Sequence, residues 1–289
     1  MKRALWQVAE ISKYRSVVQE GIKDESEQEP PRLKCLLCFF GVIPRSIRHT
    51  WSSIYDNLVV PLKKEFDIDI FVYNLNVEGA KVDGRVLDQE DVKLIPFNFK
   101  NEDLQTDVDK VLNIKCKDRC QYREDYGAAT ERNAMRQLHS EKKVGDFLAS
   151  HECEFACVCG PDYYLARKIN MDHVRDSIAT STIYTSQVND AEGYTNGFYF
   201  GKPGQLIKIL NRYDEFQSSN HDYEWGVKRA FVEHSLQRKA TDMVFWKIRA
   251  SGNVSWQGGQ RTSFLVPEEA ARVRALYNTV KEQLSAKKD

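Results

Sequence analysis

The sequence predicts an α/β fold, with a mostly parallel central sheet flanked by helices and extra β structure in its second half. Three observations carry that expectation. LKCLLCFFGV (33–42) and CEFACVCG (153–160) carry short continuous apolar runs, CLLCFFGV and FACVCG, as strands covered on both faces should. IDIFVYNLN (68–76) is a third run, rich in β-branched and aromatic residues. Helix-forming stretches separate such runs, and strand–helix–strand alternation builds a doubly wound sheet.

In chain order, residues 3–22 read as an amphipathic helix and KDESEQEPPR (23–32) as a charged, proline-ended linker. The folded domain is expected over 33–266, starting at Leu33, with a closing C-terminal segment over 267–289 that is helical to residue 286. PRSIRHTWSSIYDNLVVPL (44–62) reads as a loop entering a helix, with Pro61 near its end. VKLIPF (92–97) reads as a weaker third strand. From Ala128 to Ser150 helix formers dominate, and Ala134, Leu138, Val144, Phe147 and Leu148 recur at roughly helical spacing. STIYTSQV (181–188) and TNGFYFGK (195–202) read as later strands around a Gly/Asn/Asp-rich loop, 189–194. QLIKILNRYDEF (205–216) and HDYEWGVKRAFVEH (221–234) read as helices, and DMVFWKIRASGNVSW (242–256) as a strand and hairpin.

Composition excludes several classes. With 289 residues, 42% hydrophobic and 29% charged, the chain has ordinary globular content and length for a sizeable core. Lys+Arg and Asp+Glu are both 42, so the basic excess usual in nucleic-acid-binding domains is missing. No apolar run approaches the ~20 residues of a membrane helix. MKRALWQVAEISKYR breaks its apolar residues with Glu10, Lys13 and Arg15, so no signal-peptide core is expected. Seven cysteines are an odd count for a disulfide framework. Cys35 and Cys38 lie three apart on an expected strand and point to opposite faces, so they cannot share an ion. Reduced core cysteines imply a reducing, cytoplasmic compartment.

Open α/β sheets bind ligands beyond the carboxyl ends of their strands, so those ends hold the candidates. The first strand ends at Gly41, followed by Arg45 and Arg48 at a helix start, where two arginines suit a phosphate. Solvated helix-start residues are the other reading of that pair. Neither G-x-G-x-x-G nor G-x-x-x-x-G-K-[ST] occurs. Asp162, after CVCG-Pro161, offers one hard oxygen ligand for Mg2+ or Mn2+, or an acceptor for a ribose hydroxyl. A Pro-Asp turn capping local N–H groups accounts for it as well. Asn196-Gly197 puts a glycine inside a strand pattern, which marks either close approach of a ligand or a β-bulge. Asp222 and Glu224 open a helix, with Asp222 placed to close a capping box on Ser219. Asp190 is a loop acid with an Asx-turn alternative. H-E-x-x-H and the zinc-deaminase pattern are absent.

Taken together, CFFGVIPRS, FDIDIFVYNLN, ERNAMRQLHSEKKVGDFL, CVCGPDYYL, GYTNGFYFGKPGQLIKILNRY and TDMVFWKIRASGNVSWQG resemble, in order, nucleotide-sugar glycosyltransferases of the GT-A (Rossmann-like) fold. The likeness is to those of large algal, chlorovirus-type DNA viruses and of some bacterial polysaccharide loci, and it covers about residues 33–260. It implies transfer of a sugar from a UDP- or GDP-sugar to a glycan acceptor; for a viral enzyme the compartment is the host cytoplasm. A non-catalytic nucleotide- or carbohydrate-binding protein on the same fold is the alternative. The resemblance assigns Gly41 to Arg45, with Arg132 and Gln137 from the helix before the acidic turn, to the nucleotide. Asn196 and Gly197 would line the donor sugar. Asp222 and Glu224 would supply the base or hold the acceptor, with Asp190 a further candidate base. The family's acidic turn reads Asp-x-Asp and holds the diphosphate through Mn2+ or Mg2+; here only Asp162 stands in it. Asp67-Ile-Asp69 opens an earlier strand. Arg45, Arg48 or Arg132 would then be the cations that neutralise the leaving diphosphate.

Overall fold

The computed structural model describes residues 31–119, 127–187, 193–213, 223–255 and 267–286. The helix expected over 3–22 and all but the end of the linker lie outside them. Residues 32–289 form one compact unit.

Strand β1, Leu33–Gly41, pairs in parallel with β2, Phe66–Asn76, on one side and with β6, Phe155–Cys159, on the other. Outside β2 lies β5, Phe99–Leu104, also parallel. Outside β6 come β9, Phe198–Gly201, then β8, Ile183–Ser186, then β10, Arg238–Thr241. Only β9 runs against its neighbours in this seven-stranded sheet of order β10-β8-β9-β6-β1-β2-β5. Its amino end therefore lies at the same edge as the carboxyl ends of all the others. Two short antiparallel pairs stand apart: β3, Lys81–Val82, with β4, Arg85–Val86, and β7, Tyr163–Leu165, with β11, Phe245–Lys247.

The unbroken apolar runs have the cause expected of them. In β1, Cys35, Leu37 and Phe39 join one core cluster, while Leu36, Cys38 and Phe40 join the cluster on the opposite face. Each fully buried side chain of this size contributes about 1.5–3 kcal/mol, so both faces resist a polar substitution. The first cluster is roofed by α1, Ile47–Ile54, which continues through a π-helical turn, Tyr55–Val59, into Val60–Leu62. The second is roofed by α2, Gln105–Arg119, α3, Gly127–Ser150, α5, Pro203–Leu210, and α6, Tyr223–Glu233. Between them in sequence lies α4, Met171–Thr180. The last helix, α7, Pro267–Ala286, buries Val273, Val280 and Leu284 against Val244, Trp246 and Ile248. Those three positions are seven and four apart, one helical stripe.

Cys35, Cys38, Cys153, Cys157 and Cys159 are free thiols, and Cys35 and Cys38 do point to opposite faces. The third strand departs from expectation. VKLIPF is not a strand: Gln89–Leu94 is a 3-10 helix whose start is capped by the Asp88 side chain accepting from the Glu90 amide at 3.0 Å. The strand is the polar FKNEDL that follows, at the sheet edge, where one row of partners suffices. Helix α2 and strand β10 carry equally weak apolar patterns and were not expected. No helix among the described residues is long and apolar enough to cross a membrane.

Candidate functional site

The chain builds β1, β2 and β5 outward in one direction, then returns to the other side of β1 with β6. Between β1 and β6 the winding reverses, and in open α/β sheets such a switch point opens a crevice at the carboxyl ends. Two sequence candidates leave the sheet at this place: the Gly41 loop after β1 and the Gly160-Pro161-Asp162 turn after β6.

Gly41 ends β1 with φ +102°, a conformation side chains rarely adopt, and its missing Cβ would face open space. The next backbone amide that matters, Ile43 N–H, donates to the buried Asn74 Oδ1 at 3.2 Å; Asn74 in turn donates to Glu102 Oε2 at 2.6 Å. Ser46 and Thr50 are buried and tie the loop and helix to the acidic turn. Thr50 Oγ1 donates to Pro161 O at 2.6 Å, Ser46 Oγ donates to Ile248 O at 2.5 Å, and Ile248 N–H donates to Asp162 O at 2.7 Å.

The Asp162 carboxylate is half-buried and makes no hydrogen bond or ion pair among the described residues. It does not cap the local N–H groups, so the plain Pro-Asp turn does not describe it. Next to it, Tyr163 is buried and stacked on Phe245 at 4.2 Å between ring centroids. Burial, and then the neighbouring Asp162 charge, push the Tyr163 phenol well up, so it stays protonated. It donates to Asn196 O at 2.7 Å. Gly160 N–H donates to Gly197 O at 2.9 Å, joining the acidic turn to the Asn196–Gly197 turn. Those two residues are not inside a strand, as the pattern suggested, but in the bend that leads into β9, with Gly197 at φ +73°.

The basic candidates distribute differently. Arg45 pairs with Asp83 at 3.0 Å, and Asp83 also accepts from Ala250 N–H at 3.3 Å. Partial burial pushes the Asp83 carboxyl up, but the Arg45 hydrogen bond and charge outweigh it and hold the group below the usual carboxylate range. Arg48 forms a two-pronged pair with Asp91, both contacts 2.8 Å. Both guanidiniums are thus engaged by carboxylates of the protein. Arg132 is exposed on α3, and Gln137 donates to Glu141 Oε1 at 2.7 Å rather than standing free for a nucleotide. Two cations beside the acidic turn are ones the sequence did not single out. Lys247 pairs in register with Tyr163, its Nζ lies 5.6 Å from that ring's centroid, and it has no ion pair among the described residues. Arg249 follows two residues on and adds its charge to the Asp83 neighbourhood. Their signal was the alternation Lys-Ile-Arg before a Gly-Asn turn, two cations on one face of a hairpin strand.

Glu224 opens α6 beside the Asn196–Gly197 turn. Its carbonyl accepts from Tyr194 N–H at 2.8 Å, and Gly193 abuts it so closely that a Cβ there would fall 2.1 Å from the Glu224 carbonyl carbon. Its charge is among those acting on the Tyr199 phenol. Asp190 and Asp222 lie outside the described residues. Asp69 sits in the first half of β2, away from the carboxyl edge, and faces His151 at 3.3 Å.

Among the described residues, no three His, Cys, Asp or Glu side chains converge to hold a metal ion. Asp162 fits Mg2+ or Mn2+ only as one ligand, with phosphate oxygens and waters completing the shell, as is usual for Mg2+ on phosphate substrates. A scan against protein-family models and a search of curated proteins return no match to this chain.

Proposed function

We propose that this protein is a cytoplasmic GT-A-type glycosyltransferase that moves a sugar from a UDP- or GDP-sugar to a glycan acceptor. The observation that carries the reading is the unpaired Asp162 carboxylate at the β1/β6 switch point, flanked by the open Gly41 loop and joined to the Asn196–Gly197 turn. The order of segments that resembles this enzyme class supports it from the sequence side.

In this arrangement the Gly41 loop receives the nucleoside and Asp162 faces the sugar diphosphate. Lys247 and Arg249, rather than Arg45 and Arg48, offset the charge that grows on the leaving diphosphate; such clamps contribute several kcal/mol. Mg2+ or Mn2+ at Asp162, when bound, would add Lewis-acid stabilisation of the same oxygens. The acceptor hydroxyl forms the new bond to the anomeric carbon as the bond to the diphosphate oxygen breaks and its electron pair leaves with the nucleotide. In an inverting reaction the acceptor proton passes to a carboxylate, an effect of about 10²–10⁴-fold, and Glu224 beside the sugar-lining turn is assigned that role.

Calorimetric titration of UDP-glucose and GDP-mannose, with and without Mn2+, into wild type, Asp162→Ala and Lys247→Ala tests the reading. One donor should bind wild type, and each variant should weaken it about tenfold or more, the equivalent of at least one charge-assisted contact. Binding of no donor to wild type would overturn the reading. Binding without transfer or hydrolysis for any donor would replace it with a non-catalytic nucleotide-sugar-binding protein, the alternative favoured by the lone carboxylate.

A further inference from the structure

We infer that Arg212 and Glu141 form a buried positioning device that fixes the Asn196–Gly197 turn through Tyr199. The inference rests on reading that turn as part of the donor site. Arg212 and Glu141 are 4% and 0% exposed, yet both carry charge in the core beneath α3 and α5. Arg212 Nη1 donates to Glu141 Oε2 at 2.5 Å and to Ile209 O at 2.9 Å. The second Glu141 oxygen accepts from Gln137, the side chain that the resemblance assigned to the nucleotide. Arg212 Nη2 reaches Tyr199 Oη at 3.5 Å, and its guanidinium carbon lies 6.0 Å from the Tyr199 ring centroid. The same phenol oxygen accepts the Gly197 N–H at 2.8 Å. Gly197 O then accepts from Gly160 N–H, at the base of the acidic turn. A continuous polar path thus runs from the core of α3 to the residue before Pro161-Asp162.

Net stability does not account for such a pair. Desolvating two charges costs about as much as their attraction returns, and apolar replacements of similar volume are often neutral or better. The best-attested use of a buried charge is to fix one geometry among several. Here the geometry at stake is specific. Gly197 turns through the left-handed region, its N–H is buried, and among the described residues its hydrogen-bond partner is Tyr199 Oη. A leucine or methionine at 212 would fill the space but remove the hydrogen bond that Arg212 gives the Tyr199 oxygen. Arg212 therefore acts through Tyr199 and Gly197, as a positioning residue rather than one that touches the donor.

The test uses the full chain with Tyr199→Phe and Arg212→Met, read by amide hydrogen exchange and by titration with UDP-glucose and GDP-mannose. Tyr199→Phe keeps the ring and removes only the oxygen, so it reports even where Arg212→Met, which strands the Glu141 charge, does not fold. The expected result is faster exchange of the Gly197 amide, on the order of tenfold for one buried hydrogen bond, with β6 amides still protected. The donor bound by wild type should lose affinity by a similar factor, and Tyr199→Phe, which leaves the buried Gly197 N–H without its acceptor, should still fold and unfold only a few degrees below wild type. Unchanged Gly197 exchange in folded Tyr199→Phe overturns the inference. So does faster exchange with unaltered donor affinity, which would make the path structural only. If wild type binds neither donor, the glycosyltransferase reading falls first and the positioning role falls with it.

Discussion

Replacing Gly197 with alanine perturbs a glycine where two demands coincide. Its φ of +73° lies where a Cβ crowds the following carbonyl, at about 1–2 kcal/mol. The added Cβ would also sit 2.7 Å from Tyr163 Oη, closer than van der Waals contact allows. Tyr163 is buried and stacked on Phe245, so it cannot yield without weakening its 2.7 Å bond to Asn196 O. That adds about 1 kcal/mol, the net worth of a typical buried hydrogen bond. The sum is about 2–3 kcal/mol, which for a domain of this size lowers the melting temperature by roughly 5–10 °C. Gly226→Ala is the matched control: it lies within helix α6, a Cβ there meets nothing within 4 Å, and its φ is not left-handed. Alanine is the better helix former by about 1 kcal/mol, so Gly226→Ala should raise the melting temperature by a few degrees. Scanning calorimetry of both variants reads the contrast in sign. A Gly197→Ala protein as stable as wild type would show that the turn does not have this shape, and the donor-site geometry would lose its second wall.

Three further outcomes are expected. Because the folded-state Asp83 carboxyl is depressed, its contribution is present above the ordinary carboxylate pKa of about 4 and is lost as pH falls below it. The stability gap between wild type and Asp83→Asn should therefore be full at pH 6 and close as pH falls towards 2; a gap that widened in acid would refute the Arg45–Asp83 pairing. Arg48→Ala should cost about 1–3 kcal/mol by urea titration, because it strands the buried Asp91 carboxylate, and should leave donor affinity unaltered. A tenfold loss of affinity would return Arg48 to the ligand. Burial pushes the thiols of Cys35, Cys38, Cys157 and Cys159 well up and that of Cys153 up to about 11. Iodoacetamide at pH 8 should leave the first four unlabelled in native protein and modify Cys153 slowly, as peptide mass spectrometry would read; rapid labelling of Cys157 would contradict its place in β6.

The central strands were legible because both of their faces are covered, which leaves no room for polar residues in CLLCFF of β1 or in FACVC. The edge strands FKNEDL and RKAT were not legible, for the complementary reason. An edge strand needs hydrogen bonds from one neighbour and burial on little of its surface, so its sequence carries no apolar period. The apolar residues of VKLIPF were real, since Val92 and Ile95 are buried, but their burial is delivered by a 3-10 turn. Periodicity over six residues cannot separate those two outcomes.

The site divides along a similar line. Gly41 and Gly160 were readable as punctuation at strand ends, whereas Gly197 was readable as a special backbone position but not as the bend before β9. Charges were not, because their meaning depends on partners distant in sequence. Arg45 meets Asp83 and Arg48 meets Asp91, pairs separated by 38 and 43 residues, and each pairing removes a cation that the sequence had offered to a phosphate. Gln137 is taken up in the same way by Glu141. Among the described residues, folding leaves the Asp162 carboxylate at the switch point without a hydrogen bond or ion pair and Lys247 without an ion pair, and the register of β7 and β11 sets Lys247 opposite Tyr163, the residue after Asp162. Unspent charge in a crevice is where binding energy for a charged ligand can be gained without first breaking a protein contact. On that ground Asp162 and Lys247, and not the arginines of the first loop, are the pair whose substitution should change what this protein binds.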